Sequence, residues 1–230
     1  GWGSNMTFSI VGHCARTGMA GVAITTSSIA VGSRCPHVRA GAGAVTTQNV
    51  TDPSIGPEVL ALMADGMAAP QAVARVMEGR AHAEYRQVAA VDLSGRVAHV
   101  TGSEILGTYA VASGAGCVAA GNLLATTGVP AAMIASFEAG GVTHLAERLL
   151  AALEAGIAAG GEEGPTHSAA LLVAHEQSWP LVDLRVDWTE DCPGRALRAL
   201  WRDYEPQMND YSLRALSPAA APSYGVPGDE

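Results

Sequence analysis

The chain has 230 residues, of which 48% are hydrophobic and 15% charged, a composition that excludes a disordered polymer and supplies an extensive core. That length suits one large domain or two small ones. A formal net charge of −9 argues against nonspecific nucleic-acid binding and against an anionic membrane surface as partner, and leaves small-molecule substrates open.

Aromatic residues are sparse at 5% and Gly is abundant at 27 residues, so the expected core is aliphatic with close backbone approaches. Cys14, Cys35, Cys117 and Cys192 are widely spaced with no CxxC pair, which reads as free thiols in a reducing cytosol. No apolar stretch reaches membrane-spanning length, and a soluble cytoplasmic protein is the expectation. Residues 1–5, Gly-Trp-Gly-Ser-Asn, lack the charged start and apolar core of a signal peptide and read as a remnant ahead of Met6. One domain is expected over residues 6–230.

Residues 7–12 read as a strand, 13–18 as a turn, 19–26 as a second strand and 29–33 as a short third one. Pro36 breaks the run, and residues 38–48 form another extended segment. Close spacing implies hairpin-linked, antiparallel strands. Residues 58–65 then read as a helix stopped by Gly66, and 70–78 as a second helix opened by Pro70 and stopped by Gly79. Residues 86–92 and 95–101 form a hairpin, and 109–120 an extended, Gly-interrupted run. Helices are expected over 130–138 and 142–158; in the latter, Leu145, Leu149, Leu153 and Ile157 recur every fourth residue. Residues 162–165 read as a loop, 168–174 and 181–187 as a strand pair, 193–205 as the last helix, and the Pro-containing tail from 207 as irregular. No solenoid repeat is present. This order points to an α+β chain with two mostly antiparallel sheets and helices outside, a four-layer αββα sandwich, although pattern alone ranks that below a simpler α+β fold because it exceeds the usual two or three layers.

Thr7 is the most informative residue. If Met6 is the start and is removed, Thr7 carries a free α-amine beside its own hydroxyl, so one residue supplies nucleophile and base. Its alternative role is that of a β-branched strand opener. Ser9 shares its strand face and either assists by hydrogen bonding or lines the surface. Arg39 either depresses the amine pKa of Thr7 or ends a surface strand. Gly121-Asn122 offers an amide donor for an oxyanion with room for close approach, or an ordinary turn. Gln48 and Asp52, around the polar cluster Thr46-Thr47-Gln48-Asn49, bind substrate or terminate a strand with a capping Asp. Ser33 completes the candidate substrate-binding set. No HxH or HExxH spacing occurs among seven His, no G-x-S-x-G elbow is present, and the Gly-rich runs lack a P-loop Lys, so neither metal nor cofactor is expected.

Met6-Thr7-Phe8-Ser9-Ile10-Val11, Ala30-Val31-Gly32-Ser33, Arg39-Ala40-Gly41-Ala42-Gly43, Gly121-Asn122-Leu123, Asp183-Leu184-Arg185-Val186-Asp187 and Ala221-Pro222-Ser223-Tyr224-Gly225 together resemble a bacterial family of unknown function, DUF1028. The resemblance covers nearly the whole chain from Met6. Placement of that family with the N-terminal nucleophile hydrolases implies their αββα sandwich and a catalytic residue exposed by removing what precedes it. Thr7 matches that role, with Arg39 and Asn122 as the basic and oxyanion-binding positions. Cys35, His37 and Asn49-Val50 depart from the apolar or aromatic residues expected around the pocket. The expected activity is hydrolysis of a small amide. The rival is a non-catalytic small-molecule-binding or assembly protein that kept the fold. A homodimer is the expected assembly.

Overall fold

The computed structural model describes residues 7–161 and 164–230. The expected remnant at residues 1–5, Met6 and positions 162–163 of the expected loop lie outside the described residues.

Two antiparallel sheets form the centre. The first runs β10-β9-β2-β1-β8-β7, from β1 (Thr7–His13), β2 (Ala20–Thr26), β7 (Ala110–Gly114), β8 (Cys117–Asn122), β9 (Ser168–Ala174) and β10 (Val182–Val186). The second runs β3-β4-β5-β6, from β3 (Pro36–Arg39), β4 (Gly43–Asn49), β5 (Arg86–Asp92) and β6 (Val97–Thr101). Helices α3 (Val129–Ala139), α4 (Leu145–Ala158) and α5 (Pro193–Tyr204) cover the first sheet. Helices α1 (Ile55–Ala64) and α2 (Ala69–Met77) cover the second. The layers are therefore α, β, β, α, with one apolar core in each of the three interfaces.

Alternation along β1 assigns its residues to two of those cores. Phe8 and Ile10 pack with Phe137, Leu149 and Leu153 of the helical layer, whereas Val11 packs with Val22, Ile24, Ala44 and Ala89 between the sheets. Thr7 and Ser9 share the parity of Val11 and so face the second sheet. Both faces of β1 are buried along its whole length. The cross-strand pair Gly12 and Gly21 leaves the gap that lets helices α3 and α4 approach: a Cβ on Gly12 would lie 2.7 Å from the Phe137 ring.

Helix α4 begins at Leu145, three residues later than expected, because His144 caps it. His144 Nδ1 accepts from the Ala146 N–H at 3.0 Å, and Val142 stands 81% exposed ahead of the cap. Leu145, Leu149 and Leu153 then bury the expected stripe, each contributing on the order of 2 kcal/mol.

Four expectations need correction. The short strand over 29–33 is instead a 3₁₀ turn, Val31–Ser33, because Ala30 adopts φ 55° and its carbonyl accepts from the Ser33 N–H and hydroxyl. The extended segment 38–48 is two strands, β3 and β4, separated by a turn in which Gly41 takes φ 76°. Pro36 opens β3 rather than breaking the run, which an edge strand tolerates. The tail is not irregular from 207: helix α6 (Met208–Leu216) follows, with Met208 buried and Tyr211 stacked on Tyr204 at 6.1 Å. The prolines at 218, 222 and 227 all lie beyond it, so none interrupts its hydrogen bonds. Among the described residues, no helix is long and apolar enough to cross a membrane.

Candidate functional site

Thr7 heads β1, a central strand, between Thr26 at the end of β2 and Asn122 at the end of β8. Directly opposed residues of antiparallel strands share a face, so all three side chains enter the space between the sheets. Thr7 Oγ1 lies 3.0 Å from Thr26 Oγ1. Both residues are buried.

One side of this end is an amide network. The Ser9 hydroxyl donates to Gln48 Oε1 at 2.6 Å, and Gln48 Nε2 donates to Gln87 Oε1 at 2.8 Å. Gln87 Nε2 donates to the Gly121 carbonyl at 3.2 Å, and Asn122 Nδ2 donates to Gln87 Oε1 at 3.4 Å. The Gly121 carbonyl fixes the orientation of Gln87, which turns its oxygen toward Gln48 and Asn122. Asn122 Oδ1 is buried with no hydrogen-bond partner among the described residues, and Nδ2 has a second hydrogen beyond the one bonded to Gln87. Such an acceptor is costly to leave unpaired, by about 1–3 kcal/mol.

The other side is a hydroxyl chain ending in a cation. Thr26 Oγ1 lies 3.5 Å from Ser28 Oγ, and Arg34 Nη2 donates to Ser28 Oγ at 3.1 Å. Arg34 Nη1 also donates to the Ala30 carbonyl at 3.1 Å. Ser168 pins this loop from β9: its hydroxyl donates to the Ser28 carbonyl at 2.6 Å and accepts from the Val31 N–H at 3.2 Å.

Backbone strain gathers at the same end. Ala30, Asn49, His82 and Leu123 are the non-glycine residues with positive φ among those described. Asn49 follows Gln48, Leu123 follows Asn122, and Ala30 lies in the loop from Thr26 to Arg34. Left-handed backbone at non-glycine positions tends to collect at functional sites.

Ser9, Gln48, Gly121 and Asn122 are thus brought to Thr7, whereas Arg39, Ser33 and Asp52 are not. Arg39 pairs with Gly43 at the opposite end of the second sheet, and the five residue steps from Gly43 to Gln48 span about 17 Å. The Ser33 hydroxyl closes its own turn on the Ala30 carbonyl at 2.8 Å and is exposed. Asp52 is a structural anchor before α1: Oδ1 accepts from the Ser54 N–H at 3.0 Å and the Ser54 hydroxyl at 2.6 Å, and Oδ2 pairs with Arg80 at 2.9 Å. The Ser54 hydroxyl and the Arg80 guanidinium hold its carboxyl at about 2 against the opposing effect of burial. Burial pushes the Cys35 thiol up to about 12, so it does not compete as a nucleophile.

Residues 7–197 match the model of a family described as being of unknown function, DUF1028. The chain belongs to this family. It is similar to protein SPO2555 from Silicibacter pomeroyi, whose crystal structure carries the same family model: 36% identity, a TM-score of 0.80, and coverage of 86% of this chain and 89% of that one. No curated protein matches it. In this DUF1028 chain the match opens at Thr7 and closes inside α5, so α6 lies outside it. Thr26, Arg34 and Gln87 are the site residues that sequence reasoning missed. Strand direction held the signal for two of them: β2 returns antiparallel to β1, so its end at Thr26 and the turn carrying Arg34 must arrive beside Thr7.

Proposed function

We propose that this DUF1028 protein is an amidohydrolase of the N-terminal nucleophile type, with Thr7 as nucleophile once it is the first residue. The observation that carries the reading is the position of Thr7 at the head of a central strand, its hydroxyl 3.0 Å from Thr26 in a polar end of an otherwise apolar inter-sheet space. The two antiparallel sheets flanked by helices suit the N-terminal nucleophile architecture that the sequence resemblance implies.

In this scheme the neutral α-amine of Thr7 takes the proton from Oγ1, and Oγ1 attacks the carbonyl carbon of a small amide. The oxyanion accepts a hydrogen bond from the second Nδ2–H of Asn122, while Asn122 Oδ1 accepts one from the ammonium formed on Thr7. Collapse breaks the C–N bond, and the ammonium returns its proton to the leaving nitrogen. Water, deprotonated by the same amine, then cleaves the acyl ester and frees Oγ1. Arg34 supplies, through Ser28 and Thr26, the positive charge that favours a neutral amine. The scheme requires neither metal nor cofactor.

The alternative reading, a non-catalytic binding or assembly protein, rests on burial: Thr7 is 2% exposed, and a substrate must reach it. The deciding experiment prepares the chain with Thr7 first, verified by mass, and screens it against an amide library. Hydrolysis lost in Thr7→Ala but kept in Thr7→Ser supports the enzyme. Absence of both hydrolysis and acylation of Thr7 by hydroxyl-directed probes sinks it.

A further inference from the structure

A cavity of about 370 Å³ lies at one open side of the sandwich, between edge strand β3 of the second sheet, edge strand β10 of the first, and the first turns of α1. It is remote from Thr7. Asp183, on its wall, is in register with Leu172, Val22 and Val11, three strands across from β1 and four residue steps along it. Those offsets amount to about 14 Å and 13 Å. Arg39, also on the wall, closes β3 at the end far from Thr7.

The two strands bring opposite charges to this cavity. On β3 the Arg39 guanidinium is exposed, and no ion pair or side-chain hydrogen bond engages it among the described residues. His37 adds no charge beside it: its Nε2–H donates to the Arg34 carbonyl at 3.0 Å, and burial, opposed by that bond, pushes its pKa down. Glu58, next to Pro57 of the wall, is held by Arg80 at 2.6 Å. On β10 the charge of Arg185 is spent on Asp183, with Nε donating to Oδ1 at 2.8 Å and Nη2 to Oδ2 at 3.2 Å. A carboxylate offers about four acceptor sites, so Asp183 keeps about two for a further donor. Asp187 adds a second negative charge near the same guanidinium. The β10 side is therefore acidic and the β3 side basic. The Asp183 side chain is 36% exposed, so both charged groups are within reach of a ligand from solvent.

An apolar frame holds these groups. Leu60 of α1 and Leu172 of β9 line the cavity while being almost fully buried themselves. Pro57 and Pro180 add wall segments whose φ is fixed by the ring. The stem of Arg185 lies on Gly32, where a Cβ would come within 2.9 Å of Arg185 Cδ, so the missing side chain lets the guanidinium settle beside Asp183. The volume falls within the range of small-ligand sites, in which an apolar wall and a few polar groups fix orientation.

We propose that this cavity binds a free α-amino acid with an apolar side chain, its carboxylate on Arg39, its ammonium on Asp183 and its side chain against Leu60 and Leu172. A ligand of single charge satisfies one strand and is opposed by the other, since an anion meets Asp183 and a cation meets Arg39. A zwitterion satisfies both, which makes the pair of charges a selectivity device. The site is independent of the amide chemistry proposed for Thr7.

The test titrates L-leucine into the full chain and follows the backbone amide resonances. Saturable shifts at Arg39 and Asp183 are expected, with a Kd at or below about 1 mM, the weak end of specific small-ligand binding. 4-Methylpentanoate lacks the ammonium and isopentylamine lacks the carboxylate. Each is expected to bind at least about tenfold more weakly, as loss of one hydrogen bond to a charged group implies. Arg39→Met keeps an unbranched stem and deletes the guanidinium, and is expected to weaken leucine binding by about tenfold. Asp183→Asn is expected to do the same and also to abolish the preference for leucine over 4-methylpentanoate. Both side chains are solvent-exposed, and an unchanged Tm in each variant shows that the fold is kept. Absence of saturable shifts in the parent protein, shifts confined to the Thr7 end, equal leucine affinity in either variant, or 4-methylpentanoate binding as tightly as leucine overturns the proposal.

Discussion

Thr7 and Thr26 face each other across β1 and β2 with their hydroxyl oxygens 3.0 Å apart, so the candidate nucleophile has a hydroxyl partner fixed by sheet register. Thr26→Val keeps the β-branched shape and removes that partner. In the form that begins at Thr7, amide hydrolysis is expected to fall by about tenfold, the scale of one lost hydrogen bond to the reacting hydroxyl. Stability should drop by only about 1 kcal/mol. Steady-state kinetics beside a denaturant melt separates the two; unchanged kcat/KM removes Thr26 from the mechanism.

Arg34, rather than Arg39, is expected to set the pH profile. A nearby cation disfavours protonation of the Thr7 amine, whose unperturbed pKa is about 8. Arg34→Met therefore raises the amine pKa, and the acidic limb of kcat/KM against pH moves to higher pH. Arg39→Met leaves the limb in place, because Arg39 lies at the other end of the second sheet. Equal shifts in both variants would falsify the assignment.

Gln87 connects Gln48, Gly121 and Asn122 through three hydrogen bonds inside the sandwich. Gln87→Leu leaves the Gln48 amide and the Gly121 carbonyl without that partner. The expected loss is about 3 kcal/mol, the upper range for an unsatisfied buried polar group. Urea unfolding with an unchanged m-value checks it; a loss under about 0.5 kcal/mol, the scale of a neutral surface change, contradicts the network.

Asp52 has its carboxyl lowered to about 2 by the Ser54 hydroxyl and Arg80. A folded-state pKa below the unfolded value gives stability that is complete above about pH 4 and disappears as pH falls toward 2. Asp52→Asn should flatten the stability curve in that window, by less than about 1 kcal/mol because the pair is partly solvated. Activity near neutral pH is expected to persist, since Asp52 anchors the start of α1 and lies outside the Thr7 network.

Gly21→Ala should cost more than Gly12→Ala. The new Cβ at position 21 would sit 2.5 Å from the Leu172 carbonyl oxygen, which belongs to a sheet ladder and cannot yield cheaply. At position 12 the first obstacle is the Phe137 ring, a side chain. A difference of about 1 kcal/mol or more in thermal melts is expected, within the range for overpacked cores.

Much of the fold was legible because local pattern encodes it. The alternation Thr7, Ser9, Val11 against Phe8, Ile10 identified a strand with two different faces, and the spacing of Leu145, Leu149 and Leu153 identified α4. Turn glycines and helix-opening prolines placed most boundaries within three residues. α6 escaped because the prolines of the tail, all beyond Leu216, were allowed to colour a segment whose Met208 is buried by packing. The short turn after β2 escaped because the left-handed Ala30 carries no sequence signal.

The sequence by itself determined that Thr7 heads a strand and which of its neighbours share its face, since side-chain parity in a strand is a local property with period two. Only the tertiary structure decided what stands opposite. Thr26 and Asn122 reach Thr7 from 19 and 115 positions away through strand pairing, and from the facing sheet Gln48 meets Ser9 and Gln87 meets Asn122. Register and sheet order come from burying three cores at once, a long-range condition that no local window contains. The same condition placed Arg34 on the Thr7 side and Arg39 at the far end, although they stand only five positions apart in the chain.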